Sequence, residues 1–322
     1  MAYSSGGLIQ AIDYNYLAWG GNTQTYNSTI TNTAQVMGVG FGFRGYGQTI
    51  SAIAPVTNTT TVSAAQWAGL VYLVNRGLGH QSGAAAQLAS GSNIGITAGA
   101  TISAFANVST AVGTINTNAN IWTTQGATTT GLTFWSNISG TNTTFENIFT
   151  RTLTWSSGDA CRYFFNCGGK VSWVINNVIN NNSTLRSADL VTQWATYQAG
   201  GTIFNTSSTP RTGAGGTVNT GSTTLGYWAL TTATQTVSQI TSANYRYEYN
   251  QDYTNVRVRT STQNASGNGD KGAVIYLDFG SYMFSTYSGL NDAVDVRINH
   301  RIDYTEPEST YLNVSWGVPT IS

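Results

Sequence analysis

The sequence predicts an α+β protein that is mainly β, with a small helical N-terminal region followed by an antiparallel β-sandwich or jelly-roll-like domain. In the first half, apolar residues recur at spacings of three and four, which is typical of helices. From Phe149 onward they alternate, which is typical of half-buried strands, and Gly/Thr/Asn-rich segments separate the alternating runs. We place the boundary between a helical region at residues 1–145 and a β-sandwich domain at residues 146–322.

The helical prediction depends on a short pattern that recurs in the first region. It combines a polar capping position, a small residue and apolar side chains three and four apart. Its copies begin at Ile9, at Val62 and, less regularly, at Ile96.

The second copy predicts the clearest helix. Ser63 can cap it, and Gly77 and Gly79 are expected to end it. Its apolar stripe consists of Trp67, Leu70, Val71, Val74 and Leu78.

A glycine-rich segment at residues 38–47 lies between the first two copies. It contains no Gly-Lys-Ser/Thr, and its glycines follow no clear strand–helix pattern. Phosphate binding is therefore not favoured there.

The strand predictions come from alternation in the second half. The residue between two apolar neighbours is polar in most runs, as expected for a strand with one face in the core. The alternating apolar positions are Leu153 and Trp155; Val171, Trp173 and Ile175; Val256 and Val258; and Val294, Val296, Ile298, His300 and Ile302.

Composition and charge exclude several classes of protein. Only 8% of the 322 residues are charged, and 13 Lys and Arg balance 13 Asp and Glu. Such a chain has no electrostatic attraction to nucleic acid or anionic lipid, and its 12% aromatic content argues against disorder. The sequence also has no apolar run long enough to insert in a membrane and no secretory signal pattern at its start. We interpret Cys161 and Cys167 as reduced thiols, too few for a disulfide framework or a zinc site.

The charges are unevenly distributed along the chain. Residues 1–145 contain only Asp13, Arg44 and Arg76. A surface with so few charges suits a free monomer poorly. We therefore expect this region to pack against copies of the same chain or against neighbouring proteins.

The acidic residues raise the question of catalysis. A glycosidase needs two carboxylates about 5–10 Å apart, and strand ends can bring distant residues together. The alternative, which we favour, is that the alternating Asp295, Arg297, Arg301 and Asp303 form an ion-pair ladder. The acidic residues that cluster toward the C-terminus are Asp252, Asp270, Asp278, Asp292, Asp295, Asp303, Glu306 and Glu308.

Two histidines are the candidates for base chemistry near neutral pH. His300 lies on the apolar face of its predicted strand, which favours a hydrogen-bonded core residue. His80 follows a predicted helix end, where it can interact with the helix C-terminus. No transition-metal site and no cofactor are predicted, and a calcium site at Asn268-Gly-Asp270 remains open.

Aromatic residues supply the remaining functional signal. Tyr245, Tyr247, Tyr249 and Tyr253 form the densest tyrosine cluster and are our candidate recognition surface, since aromatic rings bind sugars and proteins well. The alternative is that they form one face of an inner strand.

One motif is specific enough to carry a resemblance. Residues 159–171 read Asp-Ala-Cys-Arg-Tyr-Phe-Phe-Asn-Cys-Gly-Gly-Lys-Val and follow a Thr-rich strand. We expect a β-hairpin in which Tyr163 and Phe165 share one face, Arg162 and Phe164 share the other, and a turn comprises Asn166, Gly168 and Gly169.

This Ala-Arg-Tyr-Phe-Phe-Asn-x-Gly-Gly type of motif resembles virion structural proteins of large contractile-tailed phages, particularly those that infect cyanobacteria. Residues 12–15, 45–48, 62–78 and 80–83 resemble the N-terminal parts of these proteins, in the same order. Where the family motif has small residues, this chain has Cys161 and Cys167, which argues against a thiol role.

The resemblance implies a virion component without enzymatic activity, such as a collar, neck, baseplate or fibre subunit. It implies a homo-oligomer, in particular a homotrimer, that contacts other virion proteins and is assembled in the host cytoplasm. The first alternative is a receptor-binding adhesin of the same particle that recognises host-surface glycans. The second is a glycan-degrading tailspike.

Overall fold

The computed structural model describes most of the chain, and every structural statement below refers to the described residues. Side chains are described in all of the ranges given next, except at residues 125 and 201–204. The ranges are 10–21, 30–40, 42, 44–57, 61–84, 88, 105–119, 122, 125–140, 145–197, 201–204, 226–241, 251–262, 271–284 and 293–322.

The helical part precedes the strands. It consists of α1 (Ala11–Trp19), α2 (Thr33–Met37), α3 (Ala64–Ser82) and α4 (Phe105–Thr117), with a short 3₁₀ turn at Ser51–Ile53. Helices α2 and α4 both pack on α3. Two further helices, α5 (Gly158–Asn166) and α6 (Leu185–Ala195), and a 3₁₀ turn at Tyr227–Ala229 lie between strands.

The strands form two antiparallel sheets. Sheet A contains β1 (Gln125–Thr129), β2 (Thr133–Gly140), β4 (Lys170–Asn180), β5 (Gly201–Phe204) and β9 (Val294–Pro307). Sheet B contains β3 (Phe145–Thr154), β6 (Gln235–Thr241), β7 (Tyr253–Thr260), β8 (Val274–Met283) and β10 (Thr320–Ile321). The long strand β9 has β4 on one side and β1 and β2, one after the other, on its opposite side.

The two sheets face each other across an aromatic core. Trp173 of sheet A meets Phe279 of sheet B with ring centroids 6.2 Å apart, and the His300 ring lies 5.1 Å from Phe279. The inward side chains of β4 and β9 are buried, as the alternation predicts. The predicted class, a mainly β α+β fold with an antiparallel sandwich and a small helical part, is confirmed.

The sheets begin earlier in the sequence than predicted. β1 and β2 lie before residue 145, yet both pair with β9 near the C-terminus. The buried apolar residues of the helices and of both sheets also form one continuous cluster. A boundary between residues 145 and 146 therefore falls at the start of β3, inside the sandwich.

The main predicted helix is confirmed at its start and differs at its end. Ser63 caps α3 and forms a capping box with Gln66. The helix continues through Gly77 and Gly79 to Gly83, which has a positive φ of 74°. The two inner glycines instead allow close approach, because a Cβ would lie 2.7 Å from the Met37 sulfur at position 77 and 2.5 Å from the Tyr311 ring at position 79.

The predicted hairpin at the motif is wrong. Arg162, Tyr163, Phe164, Phe165 and Asn166 belong to helix α5, which Ser157 caps through the Ala160 N–H. All residues from Ala160 to Asn166 are buried, so helical packing on several sides outweighs the β-propensity of the aromatic run.

The chain reverses after α5 rather than within a hairpin turn. Gly168 there has a φ of 97°, and Gly169 follows it directly before β4. A Cβ at position 168 would lie 2.8 Å from the Trp122 ring, so both backbone and packing favour glycine.

Candidate functional site

The motif helix α5 binds the glycine-rich segment of residues 38–47. Asn166 Nδ2 donates to the carbonyl oxygens of Gly42 and Gly45, each at 3.1 Å. Arg162 donates from Nη2 to Val39 O at 2.7 Å and from Nη1 to Arg44 O at 3.2 Å. Two sequence features without an obvious connection therefore form one structural unit, which we call the motif junction.

Glycine conformations shape this segment so that its carbonyl oxygens reach α5. Gly40, Gly45 and Gly47 have φ values of 56°, 93° and 65°. A Cβ at Gly47 would lie 2.5 Å from the Tyr163 ring. Phosphate sites offer N–H groups to an anion, whereas here carbonyl oxygens receive donors from α5. The arrangement suits internal anchoring.

The Arg162 guanidinium is buried with its charge partly neutralised. Its Nη2 lies 2.8 Å from Asp159 Oδ1, one turn earlier on α5, and the guanidinium lies over the Tyr163 ring at 4.7 Å. Because a buried cation needs an anionic partner, this ion pair stabilises the motif junction.

Tyr46 continues the motif junction toward the helices. Its hydroxyl donates to Ala119 O at 3.3 Å and accepts from Gln81 Nε2 at 2.9 Å. Cys167 Sγ lies 3.6 Å from Tyr46 O, and burial raises the pKa of this thiol well above its ordinary value. Cys161 and Cys167 are both buried and unbridged, as predicted for reduced thiols.

His80 joins α3 to the C-terminal segment of residues 308–316. It lies in the last turn of α3, is fully buried, and its Nδ1 is 3.0 Å from Glu308 Oε1. Burial alone raises the pKa of Glu308, but hydrogen bonds from His80, Thr310 N and Tyr311 N outweigh it and lower the pKa. The helix C-terminus is therefore not the main partner of His80.

Two further side chains hold the same C-terminal segment. Gln48 donates to Asn313 O at 3.0 Å and accepts from Asn313 N at 2.8 Å. Arg76 donates to Tyr311 O and, at 2.9 Å, to Asn313 Oδ1. The C-terminal segment thus attaches the sandwich to the helical part.

His300 is a core residue, as predicted. It is fully buried, and its Nε2 accepts a hydrogen bond from Arg151 Nε at 2.9 Å. Burial, followed by the charge of Arg151, lowers the pKa of His300 to about 3. A neutral ring in an aromatic core is unsuited to accept a proton near neutral pH.

Three buried carboxylates of the sandwich are bound by internal donors. Arg186 holds Asp252 with two hydrogen bonds of 2.9 and 3.1 Å, and Thr150 Oγ1 donates to Asp278 at 2.6 Å. Arg301 binds Asp303 with two hydrogen bonds of 2.7 and 2.8 Å. The hydrogen bonds of these carboxylates therefore stabilise the fold.

The predicted ion-pair ladder on β9 is realised in one pair. Arg301 and Asp303 pair along the strand. Asp295 instead accepts from Asn181 at 3.0 Å, and Arg297 lies over the Trp135 ring at 4.3 Å.

The candidate recognition surface is only partly described. Tyr245, Tyr247 and Tyr249 lie outside the described residues, as does Asn268-Gly-Asp270. Tyr253 lies on the outer face of sheet B, half-buried between Tyr282 at 4.5 Å and Phe284 at 6.0 Å, with nearly parallel rings. Arg257 covers the Tyr282 ring at 5.3 Å. The ring faces of Tyr253 and Tyr282 are covered by neighbours within this stack. The Phe284 side chain is 37% exposed and is the accessible ring of the stack.

A second surface on sheet A was missed by sequence reasoning. Trp135 of β2 is 41% exposed beside Arg297, and Ile179 of β4 lies opposite Arg297 and is 37% exposed. The signal was present, because Phe134, Ser136 and Ile138 alternate with Thr133, Trp135 and Asn137. The assumed boundary at residue 145 placed this alternation in the helical region.

The described residues contain no group of three His, Cys, Asp or Glu arranged to hold a metal ion. None of the described helices combines the length and the apolar character needed to cross a bilayer. No family model matches the chain, no curated protein is significantly similar to it, and no solved structure matches it.

Proposed function

We propose that the chain is a structural subunit of a tailed-phage virion, located in the collar, neck, baseplate or a fibre. It works by assembling with copies of itself and with neighbouring virion proteins, and it carries out no catalysis. The sequence resemblance is the reason for proposing a phage virion. The surface of the helical part supports the role in assembly.

The observation that carries the proposal is the surface chemistry of the helical part. Its few charges include Asp13, which is buried in the α1 capping box, and Arg76, which binds the C-terminal segment. The same part exposes apolar side chains: Ile12 at 41%, Val39 at 49% and Tyr72 at 58%. An apolar surface with few charges is suited to contact with other protein.

The buried acidic residues support a non-catalytic role over the glycan-degrading alternative. A glycosidase needs one carboxyl group that gives a proton and another that activates water or attacks the sugar. Asp252, Asp278 and Asp303 are instead engaged by arginine or hydroxyl donors in the sandwich.

Mass spectrometry of purified particles tests the proposal. Peptides of this chain should be present in gradient-purified virions of the phage that encodes it, at a constant ratio to the major capsid protein. Detection in the infected-cell lysate but not in the purified particles would contradict it.

The adhesin alternative is favoured by the stack of Tyr282, Tyr253 and Phe284. Its terminal Phe284 ring is open to a sugar or protein ligand. Purified protein should then bind susceptible cells, and Phe284→Ala should weaken that binding. Val318→Ala, at a residue 49% exposed elsewhere, is the matched control and should bind normally.

A further inference from the structure

Strand β2 is an edge of sheet A. It pairs with β9 along its full length, from Thr133 opposite Arg301 to Gly140 opposite Val294, and with no other described strand. In a paired strand, half of the backbone N–H and C=O groups point toward each neighbour. Those of β2 that point away from β9 form a row able to bind another strand.

The sequence of β2 contains no feature that protects such an edge. Proteins commonly place lysine or another charged residue, or a proline, on exposed edge strands to prevent pairing. β2 reads Thr-Phe-Trp-Ser-Asn-Ile-Ser-Gly, without a charge or a proline. Leu132, immediately before it, is 62% exposed, and Trp135 is 41% exposed.

The surface beside this edge has the composition of a protein interface. Tryptophan and arginine are enriched at the energetically important positions of interfaces. Here Trp135 and Arg297 are in contact, with the guanidinium 4.3 Å from the ring centroid, and Ile179 adds apolar area on the opposite side of Arg297.

We propose that β2 of one copy pairs in antiparallel orientation with β2 of a second copy, so that the two A sheets become one continuous sheet. The inference rests on the homo-oligomeric function proposed above and names the surface that performs it. Two-fold pairing produces a dimer or a multiple of a dimer, in place of the trimer that the resemblance implies.

A second copy of the chain suits the β2 edge for two reasons. Pairing a strand with its own copy places like residues near each other, and an uncharged strand does so without repulsion. A two-fold contact also satisfies both edges at once and closes the assembly, and this is the commonest symmetry of soluble oligomers.

A matched pair of substitutions tests this surface. Asn137 is exposed next to the middle of β2, so Asn137→Glu brings two carboxylates close together in a two-fold pairing centred on the strand. Within its own chain the new carboxylate faces Arg297, so the variant should remain folded. Asn177→Glu is the control, because Asn177 is exposed on the same face of sheet A but lies on β4, which β9 separates from the β2 edge.

Sedimentation equilibrium over a range of concentrations provides the main measurement. We expect the wild type and Asn177→Glu to form dimers or their multiples, and Asn137→Glu to dissociate at concentrations about tenfold higher or more. A wild-type monomer, which leaves the edge free for a different protein, would overturn the proposal. So would a trimer, or a folded Asn137→Glu variant with wild-type mass.

Hydrogen exchange adds a local readout. Amides of residues 133–140 should exchange faster in Asn137→Glu and on dilution of the wild type, whereas those of the interior strand β8 should not change. Equal exchange in β2 under all these conditions would overturn the pairing. The particle measurement above is independent of these results, so failure of the edge and failure of the virion role are distinguishable.

Discussion

At the scale of single residues, His300 shows how a polar group is accommodated inside the sandwich. Its ring lies among Phe134, Phe149 and Phe279, with centroid distances of 5.6, 4.8 and 5.1 Å. Its Nε2 accepts from Arg151, which also donates to Ser136 Oγ at 3.0 Å. The neutral imidazole therefore allows Arg151 to bridge the two sheets.

The low pKa of His300 makes folding dependent on pH. Between the ordinary value of 6.5 and the folded value of about 3, the unfolded chain binds a proton that the folded chain does not. Stability from this group is therefore complete above pH 6.5 and is lost as the pH falls toward 3. Each unit of the shift corresponds to about 1.4 kcal/mol, so the loss amounts to several kcal/mol.

His300→Gln should weaken this dependence, since an amide oxygen can still accept from Arg151 but does not titrate in this range. The variant should be less stable than the wild type at pH 7, and the difference should shrink at pH 4. Urea unfolding at both pH values measures it. A difference that stays constant with pH would show that the pKa of His300 is not lowered by folding.

Asn166 makes the second prediction at this scale. Asn166→Asp replaces the amide that donates to Gly42 O and Gly45 O with a carboxylate facing those oxygens. We expect a loss of about 3 kcal/mol or more, because a buried charge then lacks donors.

An exposed asparagine is the control for this substitution. Asn176→Asp replaces the amide that donates to Asn299 Oδ1 at 2.9 Å, and it should lower the free energy of unfolding by less than about 1 kcal/mol. Equal losses in the two variants, measured by thermal unfolding, would contradict an anchoring role for Asn166.

At the scale of elements, α6 closes one side of the sandwich core. Its Trp194 ring packs 6.4 Å from Phe279 and donates to Ser281 Oγ at 3.0 Å. Its Arg186 forms a fully buried ion pair with Asp252, which also accepts from Phe284 N at 2.6 Å. This ion pair connects α6 to the start of β7 and to the end of β8.

Breaking the buried pair should be costly. Asp252→Asn leaves the buried Arg186 guanidinium without its anion, and we expect a loss of about 3–5 kcal/mol. Replacing both residues with apolar ones, as in Arg186→Met with Asp252→Leu, should recover much of it. Asp295→Asn, at a half-buried carboxylate, is the control, and chemical denaturation is the measurement. A small loss for Asp252→Asn would show that the pair is dispensable.

The elements also show which patterns can be interpreted from sequence. Helix α3 and strands β4 and β9 each have one buried face. The periodicity of their apolar residues therefore matches their pattern of burial. Helix α5 has its polar residues Asp159, Arg162 and Asn166 at spacings of three and four, as in an amphipathic helix, but Arg162 and Asn166 are buried against the glycine-rich segment. Its aromatic run favours a strand locally, whereas in the folded protein α5 is a helix that packs against the glycine-rich segment.

At the scale of the whole molecule, contacts between distant residues hold the two parts together. His80 and Glu308 are 228 positions apart in the sequence, and Gln48 and Asn313 are 265 apart. No local pattern predicts such pairs. The fold class was therefore accessible from the sequence, whereas the pairing of β1 and β2 with the distant strand β9 was not.

The candidate site could likewise be predicted from the sequence only in part. The distinctive motif identifies Arg162 and Asn166 from the sequence, but their role depends on carbonyl oxygens more than 100 positions earlier. Trp135 and the β2 edge carry no motif, and only the pairing of β2 with β9 places them at an edge of sheet A.

Imaging of intact particles tests the central claim most directly, because it both locates the chain and counts its copies. We expect density for this fold in the virion, in several copies that contact each other, with the helical part against neighbouring protein. Purified particles that lack the chain, or that hold it as isolated single copies, would contradict the account.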